Sequence, residues 1–184
     1  MRSLVIVVLL LANGAAFAQS GGQPTLSYSF GELRYLDIDN GGDGFRLGGS
    51  LQFNGNWFGL ASLSTFDFDG GVDGTTFEIG GGYVFPFHSD WDIQVNGRII
   101  RTEVDTTGGS FDDTGFGLLG GLRGMIAPQF EVRGNVNYVN VDDSDVFIEM
   151  AGDWYFTPQL AAGLSVEFGG DSDLWTLGGR YYFK

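Results

Sequence analysis

Phe130-Glu-Val-Arg-Gly-Asn-Val-Asn-Tyr138 places Phe130, Val132, Gly134, Val136 and Tyr138 on one side of an extended chain and Glu131, Arg133, Asn135 and Asn137 on the other. Successive side chains of a strand point to opposite faces, so a period of two over this length specifies a strand that is apolar on one face and charged on the other. The same division recurs at 45–53, with Phe45, Leu47, Gly49, Leu51 and Phe53 opposed to Arg46, Gly48, Ser50 and Gln52. It recurs again at 91–98, where Trp91, Ile93, Val95 and Gly97 oppose Asp92, Gln94, Asn96 and Arg98. The segment 57–68 alternates poorly, and its faces stay unassigned.

These strands belong to an internal repeat. Pairs of small residues at Gly48-Gly49, Gly80-Gly81, Gly120-Gly121, Ala151-Gly152 and Gly178-Gly179 follow Asp43, Asp73, Asp113, Asp145 and Asp173 and precede aromatics or proline. Their spacing, 27 to 40 residues, is that of one hairpin of membrane-length strands. Five copies predict ten strands, or eight if two weak segments are loops. The ascending strands fall near 25–38, 57–68, 91–105, 129–141 and 159–168. One set of turns is rich in Asp and Gly: 37–43, 67–73, 105–113, 142–145 and 169–173. The other is short and carries Asn or Pro: 54–56, 86–90, 127–129 and 157–159. Proline cannot donate to a ladder, and all four prolines, Pro24 included, sit at this end.

Ahead of the repeat, Arg2, the nine apolar residues Leu4 to Ala12 and the small-x-small Ala16-Phe-Ala18 predict a signal peptide over 1–18, cut between Ala18 and Gln19. A spanning helix needs about 20 apolar residues, so none is expected in 19–184. Without Arg2 the formal charge moves from −14 to −15, which argues against nucleic acid as a partner and for cations. No cysteine is present to staple the fold, and 32 glycines with 15% aromatics fit neither a helical nor a disordered chain.

A secreted soluble barrel or sandwich would also alternate. Three features favour a membrane. The polar faces gather Arg34, Arg46, Arg98, Arg123, Arg133 and Arg180 against Glu32, Glu78, Asp92, Glu131, Glu149, Asp153 and Glu167, a near-neutral set suited to an enclosed lumen. Surplus acid is confined to one set of turns, and the only lysine is Lys184. Aromatics cluster near strand ends: Phe53, Trp57, Phe85, Trp91, Phe130, Trp154, Phe156 and Tyr181 toward the short turns, and Tyr35, Phe45, Phe68, Phe77, Tyr138 and Trp175 toward the acidic ones. Two such girdles mark membrane interfaces. The expected fold is all-β, an antiparallel up-and-down transmembrane β-barrel over 19–184, with acidic loops outside and inner-wall glycines (Gly48, Gly80, Gly82, Gly117, Gly121, Gly178) that make room for long side chains or permit curvature.

With the hairpin repeat and the closing Trp175-x-Leu177-x-Gly179-x-Tyr181-x-Phe183, the chain resembles the small OmpA/OmpX-like outer-membrane barrels. The resemblance implies that these alternate residues are read by the outer-membrane assembly machinery; Lys184 after the terminal aromatic departs from the usual pattern by one residue. A closer resemblance, carried by Ser27-Tyr28-x-Phe30-x-Glu32, Asp43-Gly44, Gly49-Ser50 and Trp175-x-x-Gly178, is to small outer-membrane proteins linked to biofilm and motility. Superfamily members commonly have eight strands, and the peptidoglycan-binding domain of full-length OmpA has no counterpart after this barrel.

An enzyme is not expected. The single histidine lies in the turn Pro86-Phe-His88-Ser89-Asp90, where adjacent residues rarely converge as a triad. Asp37, Asp39, Asp43, Asp67, Asp69 and Asp73 lead the acidic turns and suit a hard cation, Ca²⁺ or Mg²⁺, although Asp and Gly are also what turns favour. No other cofactor is implied. A lumen holding so much charge is expected to be plugged or at most a very narrow pore. The leading function is therefore a monomeric, non-enzymatic outer-membrane protein of envelope integrity or surface interaction, with lipid, lipopolysaccharide and the assembly machinery as partners. The alternative is a narrow porin for small solutes or cations.

Overall fold

A computed structural model describes residues 26–39, 41–68, 70–170 and 173–183. The expected signal peptide with its Ala18/Gln19 junction, Pro24, Asp69 and Lys184 lie outside these residues. Ten strands run in chain order: β1 (Phe30–Ile38), β2 (Gly42–Phe53), β3 (Trp57–Phe68), β4 (Val72–His88), β5 (Trp91–Thr106), β6 (Gly109–Ala127), β7 (Phe130–Val141), β8 (Asp143–Tyr155), β9 (Leu160–Phe168) and β10 (Leu174–Tyr182). Each pairs antiparallel with its sequence neighbour, and β1 pairs with β10 from Phe30↔Tyr182 to Ile38↔Leu174, which closes the sheet into an up-and-down barrel. The count is ten, not eight. Closure leaves no free edge around the wall, which supplies the internal pairing a chain without disulfides requires.

Turn chemistry explains the hairpins. Asn54 and Gly55 both adopt positive φ (45° and 78°) in the three-residue turn 54–56 that joins Phe53 to its cross-strand partner Trp57, a conformation that Asn and Gly tolerate best. Two of the acidic turns are tighter than the sequence implies. The segments 105–113 and 142–145 look like loops because they are Asp- and Gly-rich, yet β5 runs to Thr106, β6 begins at Gly109 and β8 begins at Asp143. The β6 residues 109–115 pair only with β5, since β7 joins at Phe116↔Asn140, so the β5–β6 hairpin rises beyond β7 at the acidic end while β5 stays paired with β4 up to Asp73↔Asp105.

The barrel is inside-out relative to a water-soluble protein. Leu47, Leu51, Ile99, Leu118, Val136, Leu164 and Leu177 are 50–63% exposed, while Arg123, Glu131 and Asp153 are 0–1% exposed. An apolar surface running around the whole wall far exceeds what soluble monomers present to water, and it matches the hydrocarbon layer. The ambiguous strand β3 fits this pattern: Phe58 and Ser64 are buried and Leu60 and Ser62 line the lumen, whereas Trp57, Ala61 and Leu63 face out. Its alternation is weak because the inward set opens with two apolar residues and the outward set contains small ones. Phe68 is a correction. It belongs to the inward register, stacked 6.0 Å from Phe66, not to the outer girdle.

Candidate functional site: the charged lumen

Parity decides which side chains enter the lumen, and from the short-turn end upward they form two zones. The lower zone is a plug. Arg123 of β6 meets Glu131 of β7 in a two-pronged pair, Nε–Oε1 2.7 Å and Nη2–Oε2 2.8 Å. The short turn between the strands makes this approach a local matter. Arg123 also donates to the Ser27 carbonyl (2.7 Å) and to Tyr182 Oη (3.1 Å), and its guanidinium lies 4.7 Å from the Tyr28 ring centroid. Tyr155 Oη donates to the same Glu131 carboxylate.

Above this pair, Arg133 binds Asp153 (3.0 Å), Arg34 binds Glu32 (3.0 Å) and reaches Asp153 (3.7 Å), and Arg180 binds Glu32 (2.8 Å) while lying 4.1 Å from the Phe30 ring centroid. Four arginines and three carboxylates thus form one ion-pair network. Tyr155, Ala161 and Tyr182 pack beneath it, and Tyr28, Phe58 and Val84 pack beside it. Asp92 is buried next to this zone, opposed in register to Arg123. Charges removed from water survive only when paired; Glu32 and Glu131 are both ion-paired and hydrogen-bonded here, whereas Asp153 Oδ2 has ion-pair contacts alone.

The upper zone is a cavity of about 390 Å³ that extends to Val141, the last residue of β7, and Leu174, the first of β10. Its lining reaches down to Tyr28, Glu32, Arg34, Arg123, Arg133 and Arg180 of the lower zone, and its upper wall carries Arg46, Glu78, Arg98, Glu149 and Glu167. Arg98 Nε stands 3.4 Å from Glu78 Oε1, an ion pair without a hydrogen bond at that nitrogen. Asn135 accepts from Gln94 (2.9 Å) and donates to Glu149 (2.7 Å); Asn137 accepts from Arg98 (3.3 Å) and donates to Glu167 (3.1 Å). Glycines give these side chains their space. A Cβ at Gly121 would lie 2.0 Å from Asn135 Oδ1, one at Gly163 2.1 Å from Asp153 Oδ1, and those at Gly80 and Gly178 against the Arg98 and Arg34 side chains.

All thirteen charged residues assigned to the lumen from sequence lie on inward-facing register positions. Tyr28, Tyr155, Tyr182, Gln94, Asn135 and Asn137 were not singled out as partners. Counting by twos from Asp153 and Arg180 would have found the two lower tyrosines. Arg101 is the exception among arginines, facing outward on the protruding hairpin and paired with Asp112, both about 60% exposed. Such a pair adds little stability.

The remaining candidates lie elsewhere. Trp175, Leu177, Tyr181 and Phe183 are 42–54% exposed on the outer face of the last strand, with Gly179 among them. Asp37, Asp43, Asp67, Asp73 and Asp105 are directly opposed partners across five adjacent strands, an outward-facing row along the rim; Asp39 sits in the β1–β2 turn. Asp67, hydrogen-bonded to Asp73, pushes the Asp73 carboxyl above its ordinary range. Among the described residues no three acidic or imidazole side chains converge to hold a metal. In the exposed turn, Ser89 Oγ touches both His88 Nδ1 (3.3 Å) and Asp90 Oδ2 (3.1 Å). The hydroxyl stands between the two groups, so the aspartate does not orient the imidazole as a triad requires.

No protein-family model matches the chain and no curated protein is a recognisable relative. Solved structures are similar in fold: the KdgM porin (14% identity, TM-score 0.53, 84% of this chain and 99% of that one) and the NanC porin (9% identity, TM-score 0.53, 84% and 100%). The translocator domain of the autotransporter NalP from Neisseria meningitidis is a third (12% identity, TM-score 0.50, 90% of each chain). The fold of this chain is that of the outer-membrane β-barrels.

Proposed function

We propose that this chain is a non-enzymatic, non-conducting barrel of the bacterial outer membrane that serves envelope integrity or surface interaction, with a structural lower lumen. The observation that carries the reading is the plug: Arg123, Glu131 and Asp153 are at most 1% exposed and are tied to four strands and to the N-terminal segment. The outward row of aspartates gives the outer rim a strongly acidic character toward lipopolysaccharide and its counter-ions, and a loop-bound Ca²⁺ or Mg²⁺ belongs to this proposal. Partners are lipid, lipopolysaccharide and the assembly machinery, the chain acting as a monomer without nucleic acid. The link to biofilm and motility rests on the short motifs around Ser27–Glu32 and Trp175–Gly178.

Planar-bilayer recording tests the reading. The refolded barrel gives no stable single-channel steps, and a variant with Arg123, Glu131 and Tyr155 all cut to Ala gains them. Steps from the unaltered protein would instead support a narrow porin, the second reading, which the 390 Å³ cavity and the fold similarity to two porins favour.

A further inference from the structure

Among the described residues, three charged side chains of the upper lumen enter no close ion pair. Arg46 gives its Nε to Ser64 Oγ (2.9 Å) and enters no ion pair among the described residues. Farther round the wall, Glu149 of β8 and Glu167 of β9 are directly opposed cross-strand partners facing the same cavity. Each is positioned by a neutral amide, from Asn135 and Asn137, and neither has a guanidinium within ion-pair reach among the described residues. Like charges directly opposed on neighbouring strands destabilise a sheet, and carboxylates in a confined lumen call for a counter-charge. In the plug every carboxylate has its arginine.

A second feature points to an occupant. Ser50, 6% exposed, lines the cavity with its Oγ unpartnered, and Asn96 Oδ1 lines it unpartnered as well. Burying such groups without a partner is unfavourable.

We propose that the upper lumen is a binding site for a small organic cation that also carries a carboxylate, in chemical class a basic amino acid or basic dipeptide. The ligand carboxylate meets Arg46, its two cationic groups meet Glu149 and Glu167, and Ser50 and Asn96 take up remaining hydrogen bonds. Of the charged side chains on the wall, one cation, Arg46, and two carboxylates, Glu149 and Glu167, stand outside the ion pairs of the described residues, and they match a ligand of the opposite balance. A cavity of about 390 Å³ falls within the range of small-molecule pockets, and the acidic rim enriches cations at the mouth. The site goes beyond the closed-barrel reading and does not require passage, since a lumen sealed below still binds from above.

Calorimetric titration of the refolded full chain with arginine, cadaverine and glutamate tests the assignment. Arginine binds saturably, cadaverine more weakly and glutamate not at all. The double substitution Glu149→Gln/Glu167→Gln weakens arginine by about tenfold or more, the loss expected for removing charge-assisted hydrogen bonds. Arg46→Gln lowers arginine to the level of cadaverine and leaves cadaverine unchanged. The rim substitutions Asp43→Asn/Asp67→Asn/Asp73→Asn leave arginine binding at high salt unaltered. Absence of saturable arginine binding overturns the assignment, as does binding that survives the double substitution and disappears with the rim set. If the double variant does not refold, the ligand order on the unaltered barrel decides, and glutamate binding at least as well as arginine overturns it. Channel steps together with arginine binding would remove the closed-barrel reading alone.

Discussion

Glu131 illustrates how much one buried carboxylate depends on its neighbours. It takes both prongs of Arg123 and the Tyr155 hydroxyl at zero exposure, so removing its charge leaves Arg123 uncompensated. Breaking a buried pair from one side costs about 3–5 kcal/mol, and Glu131→Ala is expected to lower the unfolding free energy in lipid vesicles by that much in urea titrations, Glu131→Gln by less. Gly163 makes the complementary point about space. A Cβ there would lie 2.1 Å from Asp153 Oδ1 and 2.6 Å from the Gly152 carbonyl oxygen, and backbone cannot yield as a flexible side chain can. Gly163→Val is expected to reduce refolding yield sharply while Gly134→Val, on the open outer face, does not. The inward position of Glu131 is legible from Phe130–Tyr138 alone, but its partners are not. Alternation reports the face a side chain takes and not its depth along the barrel, so Tyr155 and Tyr182 can be placed inside yet not joined to Glu131 and Arg123 respectively without the register.

At the scale of elements, strand length was legible where alternation met a proline or an Asn-Gly turn, as at Asn54-Gly55 and Ala127-Pro128. It was misjudged where Asp and Gly compose the strand itself: β6 opens Gly-Ser-Phe-Asp-Asp-Thr-Gly, a composition that favours turns, yet pairing with β5 carries it outward as ladder. The apolar band admits a direct test. Val136→Arg, on the lipid face of β7, is expected to destabilise the barrel by about 2–4 kcal/mol in vesicles, with a smaller effect for Ser110→Arg on the protruding hairpin. The rim answers to pH. Its hydrogen bond with Asp67, reinforced by the like charges of Asp67 and Asp105, holds the Asp73 carboxyl above its unfolded value. The folded hairpin therefore favours the protonated acid, so this contribution to stability is gained as pH falls through the folded pKa and is absent well above it. Amide exchange over residues 67–73, corrected for its intrinsic rate, is expected to slow as pH drops from neutrality into the carboxylate range, and Asp73→Asn removes that dependence.

Taken as one molecule, the barrel is apolar outside and charged within, with a lower lumen crowded by ion pairs and a more open upper one. The division follows from where the glycines and the long side chains fall around the wall, a property of register that no single strand reveals. The plug also has a consequence for assembly. Arg180 of the last strand grips Glu32 of the first, 148 residues away, and Arg123 holds the Ser27 carbonyl across 96 residues. An unfinished sheet thus carries inward charges still waiting for partners that only β10 and the N-terminal segment bring. Joining the last strand to the first and pairing Arg180 with Glu32 are one event, whereas pairs such as Arg123–Glu131 and Arg133–Asp153 form between neighbouring strands. Contacts that span nearly the whole chain are expected to make closure the slow step of folding.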